Sequence, residues 1–113
     1  MMGGRGGSSG TSGQASTAGY EITASNMNQI KKEFMLSNTD RRVQIAEAVQ
    51  SSIGRQVANN ADAIGAEVGL VNTRHVGNYQ FEGTVAGQRV IVQTTPTGGK
   101  NSRVSITDIR VPL

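Results

Sequence analysis

Tyr79-Gln80-Phe81-Glu82-Gly83-Thr84-Val85, Ala86-Gly87, Gln88-Arg89-Val90-Ile91-Val92-Gln93-Thr94 is the stretch that decides the fold. Apolar and polar residues alternate with period two on both sides of Ala86-Gly87, the pattern of a half-buried β-hairpin. A two-residue turn at Ala86-Gly87 pairs Phe81 with Val92, Gly83 with Val90 and Val85 with Gln88. That register collects Tyr79, Phe81, Val85, Val90 and Val92 on one face. The other face carries Gln80, Glu82, Thr84, Arg89 and Gln93, with Ile91 as the exception. A slip of one residue would mix the two sets, so the hydrophobic pattern itself selects the two-residue turn.

Downstream, Pro96-Thr97-Gly98-Gly99-Lys100-Asn101-Ser102 reads as a loop, and Arg103 to Val111 as a further strand. The apolar phase of that strand flips between Ile106 and Ile109, which predicts a β-bulge at Thr107-Asp108. Upstream the period changes to that of a helix. Met27, Ile30, Phe34 and Met35 predict a helix over about 26–36, with Ser25 or Asn26 as its N-cap. Asn38-Thr39-Asp40 opens a second one. The stripe Ile45, Ala46, Val49, Ile53 and Val57 carries it to a stop at Asn59-Asn60, weakened at Gly54. Residues 61–70 read equally as a short helix or as irregular chain. Tyr20-Glu21-Ile22-Thr23 reads as a short strand. Residues 1–19, rich in Gly and Ser with nothing apolar to bury, read as a flexible tail. The expectation is α+β: one or two helices packed on a three- or four-stranded antiparallel meander, in a single domain spanning 20–113.

Composition narrows the chemistry. The chain has 113 residues, no cysteine and one histidine. Disulfides, thiolate metal sites and a cysteine nucleophile are excluded, and the single histidine leaves no zinc site of ordinary composition. The eight carboxylates show neither EF-hand nor HExxH spacing. Neither a metal nor a cofactor is expected. Gly98-Gly99-Lys100 fails as a nucleotide-binding loop, because Thr94 stands where the first glycine belongs and a strand follows where a helix is required. No apolar run reaches the ~20 residues of a membrane span. The N-terminus lacks the apolar segment of a signal peptide, so a soluble cytoplasmic protein is the default expectation. A net charge of +3 spread over scattered Lys and Arg is the pattern of a solvated surface.

His75 is the one residue able to exchange a proton near neutral pH. A lone histidine is most often a surface or packing residue. Its functional reading is general acid or base, with Arg74, Arg89, Lys100 and Arg103 facing a phosphate and Tyr79, Thr107 and Asp108 orienting a substrate.

The segment HVGNYQFEGTVAGQRVIVQTTPTGGKNSRVSITDIRVPL, following a helical region, resembles the C-terminal end of small bacterial ribonuclease toxins, the metal-independent barnase-like, colicin-like and EndoU-like domains. The opening GGRGGSSG is similar to the start of small prophage-encoded proteins. The resemblance implies helices followed by an antiparallel sheet whose face holds a few polar catalytic residues. The chain departs from it by having one histidine where EndoU-like enzymes use two. A barnase-like glutamate–histidine pair has only Glu82 and His75 to draw on. Two readings of function result. The first is a small non-enzymatic binding or structural module, with a protein or RNA as partner. The second is a metal-independent ribonuclease acting through His75, Arg89, Arg103 and Thr107.

Overall fold

The computed structural model describes residues 20–98 and 102–113. The tail at 1–19 and the loop residues Gly99, Lys100 and Asn101 lie outside the described residues. The architecture is α+β, as expected, with three helices and six strands in one antiparallel sheet among the described residues. In chain order these are β1 (Glu21–Thr23), α1 (Met27–Glu33), α2 (Arg41–Gln50), β2 (Gln56–Ala58), α3 (Ala61–Val68), β3 (Val71–Gly77), β4 (Gln80–Val85), β5 (Gln88–Pro96) and β6 (Arg103–Pro112). Strands β3, β4, β5 and β6 follow one another as a meander. The outer side of β6 pairs with β2 along its first half and with β1 along its second.

The hairpin register holds residue for residue: Phe81 faces Val92, Gly83 faces Val90, and Val85 faces Gln88. Ala86 (φ 52°) and Gly87 (φ 81°) are both left-handed, the geometry whose twist matches that of paired strands. The bulge also lies where the phase flip put it. Gln93 pairs with Asp108 and Thr94 with Ile106, leaving Thr107 as the extra residue and both Ile106 and Ile109 fully buried. The core is aliphatic: Ile22, Val43, Ile64, Val90, Val92, Val104, Ile106, Ile109 and Val111 have at most 1% of their surface exposed.

Three local expectations are corrected, and the alternative left open at 61–70 is settled as a helix. Helix α1 is shorter than 26–36. Asn26 precedes it, but its side chain accepts from the Thr23 amide (2.8 Å) and donates to the Glu21 carbonyl (3.2 Å), and so does not cap the helix. The second helix stops at Gln50 and does not run on to Asn59. Gly54 takes φ 92°, a conformation glycine adopts without a Cβ clash. Its amide donates to the Ile106 carbonyl (2.6 Å), turning the chain into β2. Val57 keeps its burial by joining the sheet opposite Val104. Residues 61–68 are helical, capped by Asn60, which accepts from the Ala63 amide at 2.8 Å. Finally, Tyr79 is not a strand residue on the core face. It belongs to a two-residue turn and is 41% exposed.

Strand β3 has no counterpart in the sequence reading. Its apolar residues, Val71 and Val76, are exposed. It is bulged twice against β4, between Val71 and Arg74 and between His75 and Gly77, with Asn72 at φ 55°. Helix α3 lies directly on this part of the sheet. A Cβ on Gly83 would sit 2.8 Å from the Val71 carbonyl oxygen and 3.0 Å from the Leu70 Cβ, so the close approach requires glycine. No helix among the described residues is long and apolar enough to cross a membrane.

Candidate functional site

At one end of the sheet, the turn between β3 and β4 faces the junction between β2 and α3. Asn78 (φ 53°) and Tyr79 (φ 60°) form the turn, both left-handed. Asparagine tolerates this conformation through its short polar side chain, whereas a tyrosine there is strained. The turn is locked in place from β5. The Tyr79 carbonyl accepts from the Thr94 amide (3.0 Å) and from the Thr94 hydroxyl (2.6 Å), and the Gln93 side-chain amide donates to the Asn78 carbonyl (3.1 Å).

Register places His75 opposite Phe81, on the face of the sheet that the helices cover. The two rings lie 4.9 Å apart between centroids and are tilted by 44°. Phe81 is buried, while His75 is exposed. Across from them stand Asn59, Asn60 and Ala61. Asn59 is held by its amide on the Ser102 carbonyl (2.8 Å), and Asn60 by its capping bond and by its amide on the Ala58 carbonyl (2.9 Å). Together these residues enclose a cleft of about 590 Å3, lined by Asn59, Asn60, Ala61, His75, Asn78, Tyr79 and Phe81. That volume falls in the range of ~300–1,000 Å3 usual for small-ligand sites. No Asp, Glu, Lys or Arg side chain among the described residues lines it.

The opposite, open face of the sheet carries a different cluster. Glu82 accepts from Arg74 (2.9 and 2.7 Å) and from Arg89 (3.2 and 3.0 Å). The Arg74 guanidinium, and then that of Arg89, hold the Glu82 carboxyl below its ordinary range, outweighing the opposing effect of desolvation. Arg110 pairs with Glu21 on the same face (3.2 Å).

The four residues singled out from sequence are therefore not one constellation. His75 lines the cleft on the helix side. Arg89 lies on the open face beside the Ala86-Gly87 turn, at the far end of the sheet, and is engaged by Glu82. Thr107 is the bulged residue, and its hydroxyl donates to the Gln93 carbonyl (3.2 Å). Arg103 donates to the Gln56 carbonyl (2.7 Å) and stands opposite Ala58 at the cleft's end of the sheet, but as the neighbour of buried Val104 it lies on the open face, away from the cleft. Of the residues thought to orient a substrate, Tyr79 joins His75 in the cleft. Asp108 accepts from the backbone amides of Ala24 (3.2 Å) and Ile109 (2.9 Å) and fastens β6 to the chain after β1. Lys100 lies outside the described residues. Glu82, the carboxylate considered as a partner for His75, is on the opposite face of the sheet from it.

Asn59, Asn60, Asn78 and Phe81 were not singled out as site residues. The Gly77-Asn78 pair was the available signal, since that dipeptide favours a left-handed turn. No group of three or more metal-ligating side chains occurs among the described residues. Comparison with known proteins gives no relative: no family model, curated protein or solved structure matches the chain.

Proposed function

We propose that this chain is a small non-enzymatic binding module whose site is the cleft between the Asn78-Tyr79 turn and the start of α3, and that it takes a planar, uncharged group. The observation that carries this reading is Tyr79. A bulky aromatic residue is held left-handed at the rim of a cleft, half in solvent, where asparagine or glycine would sit without strain. Strain of this kind concentrates at ligand clamps. The exposed His75 ring, backed by Phe81, supplies a second flat surface, and the neighbouring asparagine amides supply uncharged donors and acceptors. Titration of the 15N-labelled protein with small planar probes (phenol, indole, uracil) tests it. The expected result is shifts confined to the amides of residues 59–61, 75 and 78–81. An unmoved cleft with every probe would sink the reading.

One observation favours a second reading, a metal-independent ribonuclease. Glu82 is kept ionised between Arg74 and Arg89 on an open sheet face. A carboxylate flanked by two guanidiniums has the parts needed to take a 2′-hydroxyl proton and to steady a phosphate. His75 is not available to it as an acid. Its test is cleavage of mixed RNA in EDTA with Glu82→Gln alongside. Cleavage that vanishes in the variant would establish this reading in place of the first.

A further inference from the structure

We infer that the unit formed by β1 and α1 is exchangeable, and that its partner is a second copy of this chain, whose β6 takes the β1 strand in a domain-swapped dimer. The hinge is the segment 34–40 between α1 and α2. Helix α1 is closed by two bonds of a left-handed stop. The Leu36 amide donates to the Lys31 carbonyl (2.8 Å), and the Met35 amide to the Lys32 carbonyl (3.3 Å). Such a stop needs a left-handed residue, which glycine supplies without a Cβ penalty. Helix α3 closes on Gly69 at φ 76°. Helix α1 has Met35 instead, at φ 55° and 90% exposed. Packing therefore offsets none of the strain. The apolar spacing of Met27, Ile30, Phe34 and Met35 also runs on past the helix end, so the local pattern and the closed fold disagree here. A short, strained connection between packed units invites exchange, because opening relieves the strain and the exchanged contacts are the same ones.

The unit holds together by its own bonds. The Thr23 amide donates to the Asn26 side-chain oxygen (2.8 Å), the Asn26 amide to the Thr23 hydroxyl (3.2 Å), and the Asn26 side chain to the Glu21 carbonyl (3.2 Å). It is fastened to the rest of the fold by the ladder to β6, by the Glu21–Arg110 pair, by the Ala24 amide on Asp108, and by burial of Ile22, Met27 and Ile30. A second copy offers every one of these partners. Strand β1 is the first described element and β6 the last. Pairing them within one chain closes a long loop, so a neighbouring chain competes for β6 when the protein is concentrated. The exchange concerns the second half of β6 and is independent of the cleft, which sits by the first half.

The chain has no cysteine, so a pair placed across the ladder reports which chain supplies β1. Glu21→Cys with Pro112→Cys puts thiols on directly opposite residues, within reach of a disulfide. The full chain, with and without this pair, is unfolded in urea and refolded at about 5 μM and at about 1 mM, since mass action sets the dimer fraction. Mass is read by light scattering, and the cysteine form is oxidised with glutathione disulfide and run on a non-reducing denaturing gel. The expected result is a monomer with an intrachain bond at the low concentration and a covalent dimer at the high one. Met35→Gly, in the cysteine-free protein, relaxes both hinges of the monomer pair and weakens the dimer roughly a hundred-fold, about ten-fold for each hinge. Met35→Leu keeps the Cβ and keeps the dimer. A cysteine-free protein that stays monomeric at the high concentration would overturn the inference. A dimer holding only intrachain disulfides would overturn it as well, because its β1 strands would not have crossed. A dimer as strong in Met35→Gly as in the parent would refute the hinge.

Discussion

Tyr79 presents its backbone carbonyl to Thr94 twice, once to the amide and once to the hydroxyl. Thr94 is 2% exposed, so the threonine side chain holds the cleft's turn from inside the sheet. Thr94→Val keeps the shape and the amide bond and removes the hydroxyl. The expected loss is about 1 kcal/mol in urea unfolding, together with shifts of the Asn78 and Tyr79 amides. Unchanged stability and unchanged shifts would show that the second bond does not matter.

Tyr79 itself should limit stability. A non-glycine residue in the left-handed region costs about 1–2 kcal/mol, less for asparagine. The exposed ring recovers little of that by packing. Tyr79→Asn is therefore expected to raise the unfolding free energy by about 1 kcal/mol while weakening cleft binding, a trade between stability and function. Calorimetric melting of the two proteins decides it: a lower melting temperature for the variant would mean that the tyrosine ring stabilises the fold.

Asp40 caps α2 by accepting from the Arg42 amide (2.9 Å), and the Arg42 guanidinium donates back to the same carboxylate (3.1 and 2.9 Å). The Arg42 side chain, more than any other influence, lowers the Asp40 pKa from 3.8 to about 2. A carboxylate depressed in the folded state contributes stability that is complete above its unfolded pKa and is lost as pH falls toward its folded one. This contribution is accordingly present at pH 5 and fades between about 4 and 2. Asp40→Ala should cost about 1 kcal/mol at pH 6, with the gap to the parent protein narrowing from about pH 4 and closing only as pH falls through the folded-state pKa of about 2. A gap independent of pH would assign the loss to something other than the charge.

Gly83→Ala places a Cβ against the Val71 carbonyl and Leu70. Both belong to the packed β3 side, where backbone has no room to yield. The expected cost is about 1–3 kcal/mol, accompanied by movement of α3 amides. An unaltered denaturation midpoint would mean that β3 shifts freely.

The sequence was most legible where burial and period coincide. The β4–β5 register follows from Phe81, Val90 and Val92 because a one-residue slip would put Phe81 and the two valines on opposite faces. The bulge at Thr107 follows for the same reason from Ile106 and Ile109. Legibility failed where tertiary bonds overrode local pattern. Val57 continues a helical stripe, yet the bond from the Gly54 amide to Ile106 carries it into the sheet. Strand β3 was invisible because its outward valines and two bulges leave no alternation. At the site, His75 was legible by its rarity. Its companions were not, because Asn59 and Asn60 come from a distant part of the chain and read locally as a stop signal. Separating His75 from Arg89 required knowing which face of β3 it occupies, and that depends on bulges that nothing local announces.

Strand β6, joined to β5 on one side and to both β1 and β2 on the other, has a kinetic consequence. It is last in chain order among the described elements, so a chain emerging from the ribosome without it can form the local β3–β4–β5 meander but has no ladder for Ile22 or Val57. The earliest strands must wait for the latest one, which makes the pairings nonlocal. Folding should then belong to the slower, millisecond-to-second class despite the small size.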